Sequence, residues 1–139
     1  MKQHLKQGIT LLILCLITLL TSIAVSAMEN EFIIDQNGIL TKYHGSGGNI
    51  AIPHGVKVIG NGENSPFENS QLSIIKVSIP DSVTNINEEA FMGCESLIQV
   101  TIPESVKEIS DYAFSGCHSL KEINLPQSVT YIGRSAFRG

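Results

Sequence analysis

The chain has 139 residues, which allows one domain and no more. Nine Lys+Arg against 13 Asp+Glu give a formal net charge of −4, which excludes the basic footprint that a nucleic-acid partner requires. Hydrophobic residues make up 42% and charged residues 16%, and most of the apolar excess sits in residues 8–27.

Met1–Gly8 carries Lys2 and Lys6 without an acid, and Ile9–Leu20 is an apolar run. Thr21–Ala27 turns small and polar, ending Val25-Ser26-Ala27. A basic start, a short greasy stretch and small residues one and three back from the cut make residues 1–27 a secretory signal peptide. The alternative is an uncleaved anchor, but the run falls short of the roughly 20 residues that span a bilayer. Cleavage leaves a chain that starts at Met28, has lost Lys2 and Lys6, and carries a net charge of −6. The protein is therefore expected to be exported, with no membrane span once the leader is removed.

Residues 28–51 form a separate segment. Glu31–Asp35 and Ile39–Tyr43 are β-prone runs flanking Gln36-Asn37-Gly38, and Asn-Gly favours the positive φ angles of a tight hairpin turn. Gly45-Ser46-Gly47-Gly48 leads into Asn49-Ile50-Ala51-Ile52-Pro53. This segment reads as a hairpin that caps the N-terminal end of a repetitive region and stands outside its period.

That period is 23 residues. Pro80, Pro103 and Pro126 are spaced by it, as are Phe91, Phe114 and Phe137 and also Gly93, Gly116 and Gly139. Residues 79–101 and 102–124 share 11 of 23 positions, and 125–139 starts a third copy and stops inside it. An earlier copy, 52–78, is 27 long, with its extra residues in the Asn61–Ser73 stretch, read as a bulged loop. Each copy carries an L-x-x-L-x-L pattern, as Ile74-x-x-Val77-x-Ile79, Leu97-x-x-Val100-x-Ile102 and Leu120-x-x-Ile123-x-Leu125. Its ending alternates aliphatic and polar residues, as a half-buried strand does. Val83 and Ile86, with their counterparts Val106, Ile109, Val129 and Ile132, turn back into the same core. The Ala-Phe pairs close the opposite side on a short helical or 3₁₀ turn. One such coil cannot bury its apolar face, but a stack can.

The string SLxxVxIPxSVxxIxxxAFxGC, followed closely over 74–139 and loosely over 50–73, resembles the BspA-type leucine-rich repeats of bacterial surface proteins. The fold expected is mostly β: a short right-handed leucine-rich-repeat solenoid of parallel strands, with its N-terminal hairpin cap. The resemblance implies secreted or surface proteins, some of them adhesive, and supplies no catalytic residue.

Chemical constellations are weak. Gly45-Ser46-Gly47-Gly48 lacks the Lys-Ser/Thr ending of a phosphate cradle and reads as a turn. His44, His54 and His118 have no partner at ligand spacing. Cys117-His118 reads as a core thiol beside a surface imidazole, since chain neighbours point apart. Cys94 and Cys117 share one slot in adjacent coils, as stacked free thiols or, alternatively, a bond between coils. The acids are scattered rather than paired for acid–base hydrolysis. No cofactor, metal or enzymatic activity is therefore expected.

The candidate ligand-binding residues are the outward positions of the strands. Lys76, Gln99 and Glu122 form one row and Ser78, Thr101 and Asn124 the next. Short polar rows on a rigid sheet suit hydrogen bonding to an extracellular protein or glycan. The function expected is non-catalytic binding or adhesion at or beyond the bacterial surface. The alternative is the structural start of a longer surface protein, without activity of its own. At the C-terminal end, strand Ile123–Leu125 is expected to present an unpaired edge, favouring end-to-end self-association.

Overall fold

Most strands form where an aliphatic slot of one coil meets the same slot of the next. The computed structural model describes residues 31–139, so the leader over 1–27 and the cut before Met28 lie outside the described residues. In chain order the strands are β1 (Phe32–Ile34), β2 (Ile39–Tyr43), β3 (Gly48–Ala51), β4 (Val58–Ile59) and β5 (Ile74–Ser78). They continue as β6 (Asn85–Ile86), β7 (Gln99–Thr101), β8 (Glu108–Ile109) and β9 (Tyr131–Ile132). These build a mostly β solenoid of about four turns with coils near 23 residues.

Two sheets run up the stack. One has the order β3-β5-β7, all parallel, with Val77 opposite Ile50 and Val100. The other has the order β1-β2-β4-β6-β8-β9, with Leu40, Ile59, Ile86, Ile109 and Ile132 in successive register. This second ladder supports the inward turn expected of Val83 and Ile86, both fully buried. Its two-residue strands are too short to show an alternating pattern in sequence.

The expected hairpin is present. β1 pairs antiparallel with β2, and Gly38 takes a φ of +83° in the connection. Asp35 holds the turn, its carboxylate accepting from the N–H groups of Ile39 at 2.8 Å and Asn37 at 2.9 Å. These bonds, the one from Ile39 foremost, keep its carboxyl below the usual range.

Up the stack runs a ladder of six rings: Phe32, Tyr43, Phe67, Phe91, Phe114 and Phe137. The last four stack nearly parallel, with centroids 4.9, 5.0 and 5.3 Å apart and interplanar angles of 14°, 6° and 6°. Two of the six come from the stretch read as lying outside the period. The Asn61–Ser73 loop supplies Phe67, fully buried, and is stitched to its neighbours by Ser65 Oγ to the Ala90 carbonyl and Ser70 Oγ to the Gly45 carbonyl.

On the side carrying the Ala-Phe pairs, i-to-i+3 bonds such as Ala90 N–H to Asn87 and Met92 N–H to Glu89 make a chain of separate turns. They do not merge into a helix, because Glu89, Tyr112 and Ser135 take φ of 57°, 56° and 54° and break the helical run in the last three coils.

One expected strand is missing. Lys121–Leu125 is not a strand, and among the described residues no backbone hydrogen bond joins it to the coil below. The edge of the three-stranded sheet is therefore β7, not Ile123–Leu125. The reason is uneven lacing. Residues 128–138 are tied down by Thr130 N–H to Lys107, Gly133 N–H to Ile109, and the Arg138 carbonyl accepting from Gly116. Lys121–Leu125 has no such ties; Ile123 packs partly buried against the core, while Leu125 is 39% exposed.

Candidate binding face

The polar rows stand where the alternation places them. Lys76 lies opposite Gln99 and Ser78 opposite Thr101 in the β5–β7 register, with their aliphatic neighbours Val77 and Val100 buried between. All four side chains are exposed, as are Glu122 and Asn124. The rows also extend down to β3, where Asn49 sits opposite Lys76 and Ala51 opposite Ser78. Sequence reasoning left those two out, although Ile50 and Ile52 fix their orientation by the same alternation.

The upper part of each row is not continuous. Glu122 and Asn124 stand across a gap from β7, and the gap is a cavity of about 350 Å³. Its walls are Ile98–Ile102 on one side and Glu122 and Asn124 on the other. Four of the six candidate residues thus share one cavity, while Lys76 and Ser78 lie beside it on the next strand. Glu122 is the single ionisable residue of the lining. Ile98 and Ile75, 50% and 42% exposed, form an apolar shelf at the start of the same strands.

The other constellations resolve into structure. Cys94 and Cys117 are free and buried, and the Cys117 thiol donates to the Phe91 carbonyl at 3.2 Å. Burial pushes the Cys94 thiol up to about 12 and the Cys117 thiol up to about 11, the reverse of what a nucleophile needs. His118, next in the chain, is exposed. Gly47, with a φ of +91°, passes so close to Ser73 that a Cβ would collide with it, so close approach of two coils accounts for this glycine. Among the described residues no three His, Cys, Asp or Glu side chains gather to hold a metal ion, and no helix is long and apolar enough to cross a membrane.

The family model for "BspA type Leucine rich repeat region (6 copies)" matches residues 61–139. The chain belongs to the BspA-type leucine-rich repeat family. Three solved leucine-rich repeat structures are similar to it. A leucine-rich repeat protein of T. pallidum is 29% identical with a TM-score of 0.62, over 77% of this chain and 63% of that one. A leucine-rich repeat protein from Bacteroides ovatus is 30% identical with a TM-score of 0.60, over 78% and 30% of the two chains. A leucine-rich cell surface protein from Faecalibacterium prausnitzii is 29% identical with a TM-score of 0.51, over 75% and 37%. The chain thus spans between 30% and 63% of the lengths of these proteins. No curated protein matches it. BspA-type repeats are typically non-catalytic, and one solved relative is a cell-surface protein.

Proposed function

We propose that this chain is a non-catalytic binding module, exported to or beyond the bacterial surface, that contacts an extracellular protein or glycan through the face of β3, β5 and β7. The observation that carries this reading is the convergence of Gln99, Thr101, Glu122 and Asn124 on one cavity beside Lys76 and Ser78. A parallel sheet holds Lys76, Ser78, Gln99 and Thr101 at fixed spacing, so little ordering of these four is needed on binding. The likeness to a leucine-rich cell surface protein supports the location.

The test is a binding screen of the protein against extracellular matrix proteins and glycans. It is repeated with Gln99, Thr101, Glu122 and Asn124 replaced together by alanine. Loss of the captured ligand with the fold intact supports the face. Unchanged affinity moves the site elsewhere, to the Asn61–Ser73 loop first. A screen that captures nothing favours the structural alternative.

A further inference from the structure

The cavity beside β7 has a feature that side chains alone do not explain. Val100 lines it although its side chain is turned into the core, the residue being only 6% exposed. Its place in β7 directs its main-chain groups there. The hydrogen-bond pattern says which groups. Ile52 N–H donates to the Ser78 carbonyl, and one coil later Ile79 N–H donates to the Thr101 carbonyl at 3.2 Å. Ser78 thus directs its carbonyl back at β3 and Thr101 directs its own back at β5. Successive residues of a strand direct their main-chain groups to opposite sides. Val77, between Lys76 and Ser78, therefore addresses β7. Val100, in the equivalent place, addresses the gap, where no strand stands.

We propose that this gap is a strand-addition site for an extended peptide carrying a Lys or Arg side chain. The proposal rests on the binding reading above and narrows its partner to a protein segment. The peptide lies alongside β7 in the place that Lys121–Leu125 leaves open. Its main chain donates to and accepts from Val100, the pairing that exposed sheet edges offer to peptides. Edge strands attract such partners because their N–H and C=O groups are otherwise left to water. Specificity comes from the walls. Gln99 and Thr101 supply uncharged polar contacts, Ile98 an apolar shelf, and Glu122 the one charge, which selects a cationic side chain. The volume of about 350 Å³ suits a short stretch of extended chain rather than a folded element. It lies at the small end of the range for ligand sites.

The test uses the protein with three synthetic probes: acetyl-Thr-Val-Lys-Val-Thr-amide, the same peptide N-methylated along its main chain, and a version with Glu in place of Lys. Binding is followed by the amide exchange rate and chemical shift of Val100. Strand addition predicts that the Lys peptide slows Val100 exchange, and that N-methylation weakens binding about tenfold by removing the donors. It also predicts that the Glu peptide binds about threefold more weakly, as a lost exposed ion pair would allow, and that Glu122→Lys reverses that preference. Equal affinity for plain and methylated peptides overturns the proposal. So does a glycan or protein captured in the screen that perturbs Gln99 and Thr101 while Val100 exchange stays fast, though that result leaves the binding reading intact. Failure of every peptide and every screened ligand overturns both.

Discussion

Tyr43 lies over Phe67 with the ring centroids 5.6 Å apart, and its N–H donates to the Pro66 carbonyl at 2.8 Å. The same bond recurs from Phe91 to Ala113 and from Phe114 to Ala136, at 2.7 Å in both. In each case the acceptor is the residue just before the next aromatic. Tyr43 therefore occupies the aromatic slot of a coil, and β2 is both the second strand of a hairpin and the first rung of the solenoid. A hairpin merged in this way passes its ring contacts and strand register directly to the coils stacked on it.

The aromatic ladder should dominate stability. Replacing Phe114, 1% exposed and stacked on both sides, by alanine is expected to cost about 3–5 kcal/mol in denaturant unfolding. Phe137, 37% exposed and stacked on one side, should cost about 1–2 kcal/mol. Replacing exposed Gln99 or Thr101 should stay within about 0.5 kcal/mol. Equal losses at Phe114 and Phe137 would contradict the ladder.

How much of this was legible depends on the lengths of the pieces. The 23-residue period exposed every slot from Val77 to Phe137, because those coils have one length and keep each slot aliphatic or aromatic. Tyr43 and Phe67 escaped because the first coils change length and Tyr43 substitutes for Phe, so neither keeps the spacing. The strand rows were readable from alternation at Val77 and Val100. The same alternation could not foresee that Lys121–Leu125 stands off from β7, since that depends on backbone hydrogen bonds it does not make. The cavity beside β7 results from that separation.

Glu89, Tyr112 and Ser135 hold left-handed backbone with side chains that disfavour it. A left-handed residue costs about 1–2 kcal/mol unless it is Gly or a short amide. Glu89→Asn is expected to raise stability by a few tenths to about 1 kcal/mol, read as a higher midpoint in thermal unfolding. Gly47→Ala should act in the opposite direction, because the added carbon meets Ser73. A destabilised Glu89→Asn variant would show that some contact of the Glu89 side chain outweighs the backbone strain.

The buried thiols set an alkaline limit. Their folded values, raised by burial to about 12 for Cys94 and about 11 for Cys117, lie above that of an unfolded cysteine. As pH rises past the unfolded value, the unfolded chain releases protons that the folded chain keeps, so stability falls from about pH 9 upward. Below that window the thiols leave stability unchanged. Alkylation at pH 8 should be slow in the native protein and fast in denaturant. A stability curve that stays flat to pH 10.5, or rapid native alkylation, would contradict this.

The terminal coil leaves Leu125, Tyr131, Ile132 and Phe137 between 37% and 52% exposed. β9 is also the outer edge of its sheet. In the 139-residue chain taken by itself, an apolar edge of this kind favours association with a second chain. Light scattering is expected to show concentration-dependent self-association, and Ile132→Lys to reduce it without lowering the unfolding midpoint by more than about 0.5 kcal/mol equivalent. A chain that is monomeric at every concentration, with or without the substitution, would contradict this.

Partner binding on the β3–β5–β7 face has a direct readout in backbone amide exchange. Its most direct test is hydrogen–deuterium exchange of the protein alone and with the tightest ligand from the screen. The account predicts slowed exchange confined to Lys76–Ser78, Gln99–Thr101 and the facing Glu122–Asn124 segment. Slowing confined to Asn61–Ser73 or to β9, with β5 and β7 unchanged, would contradict it.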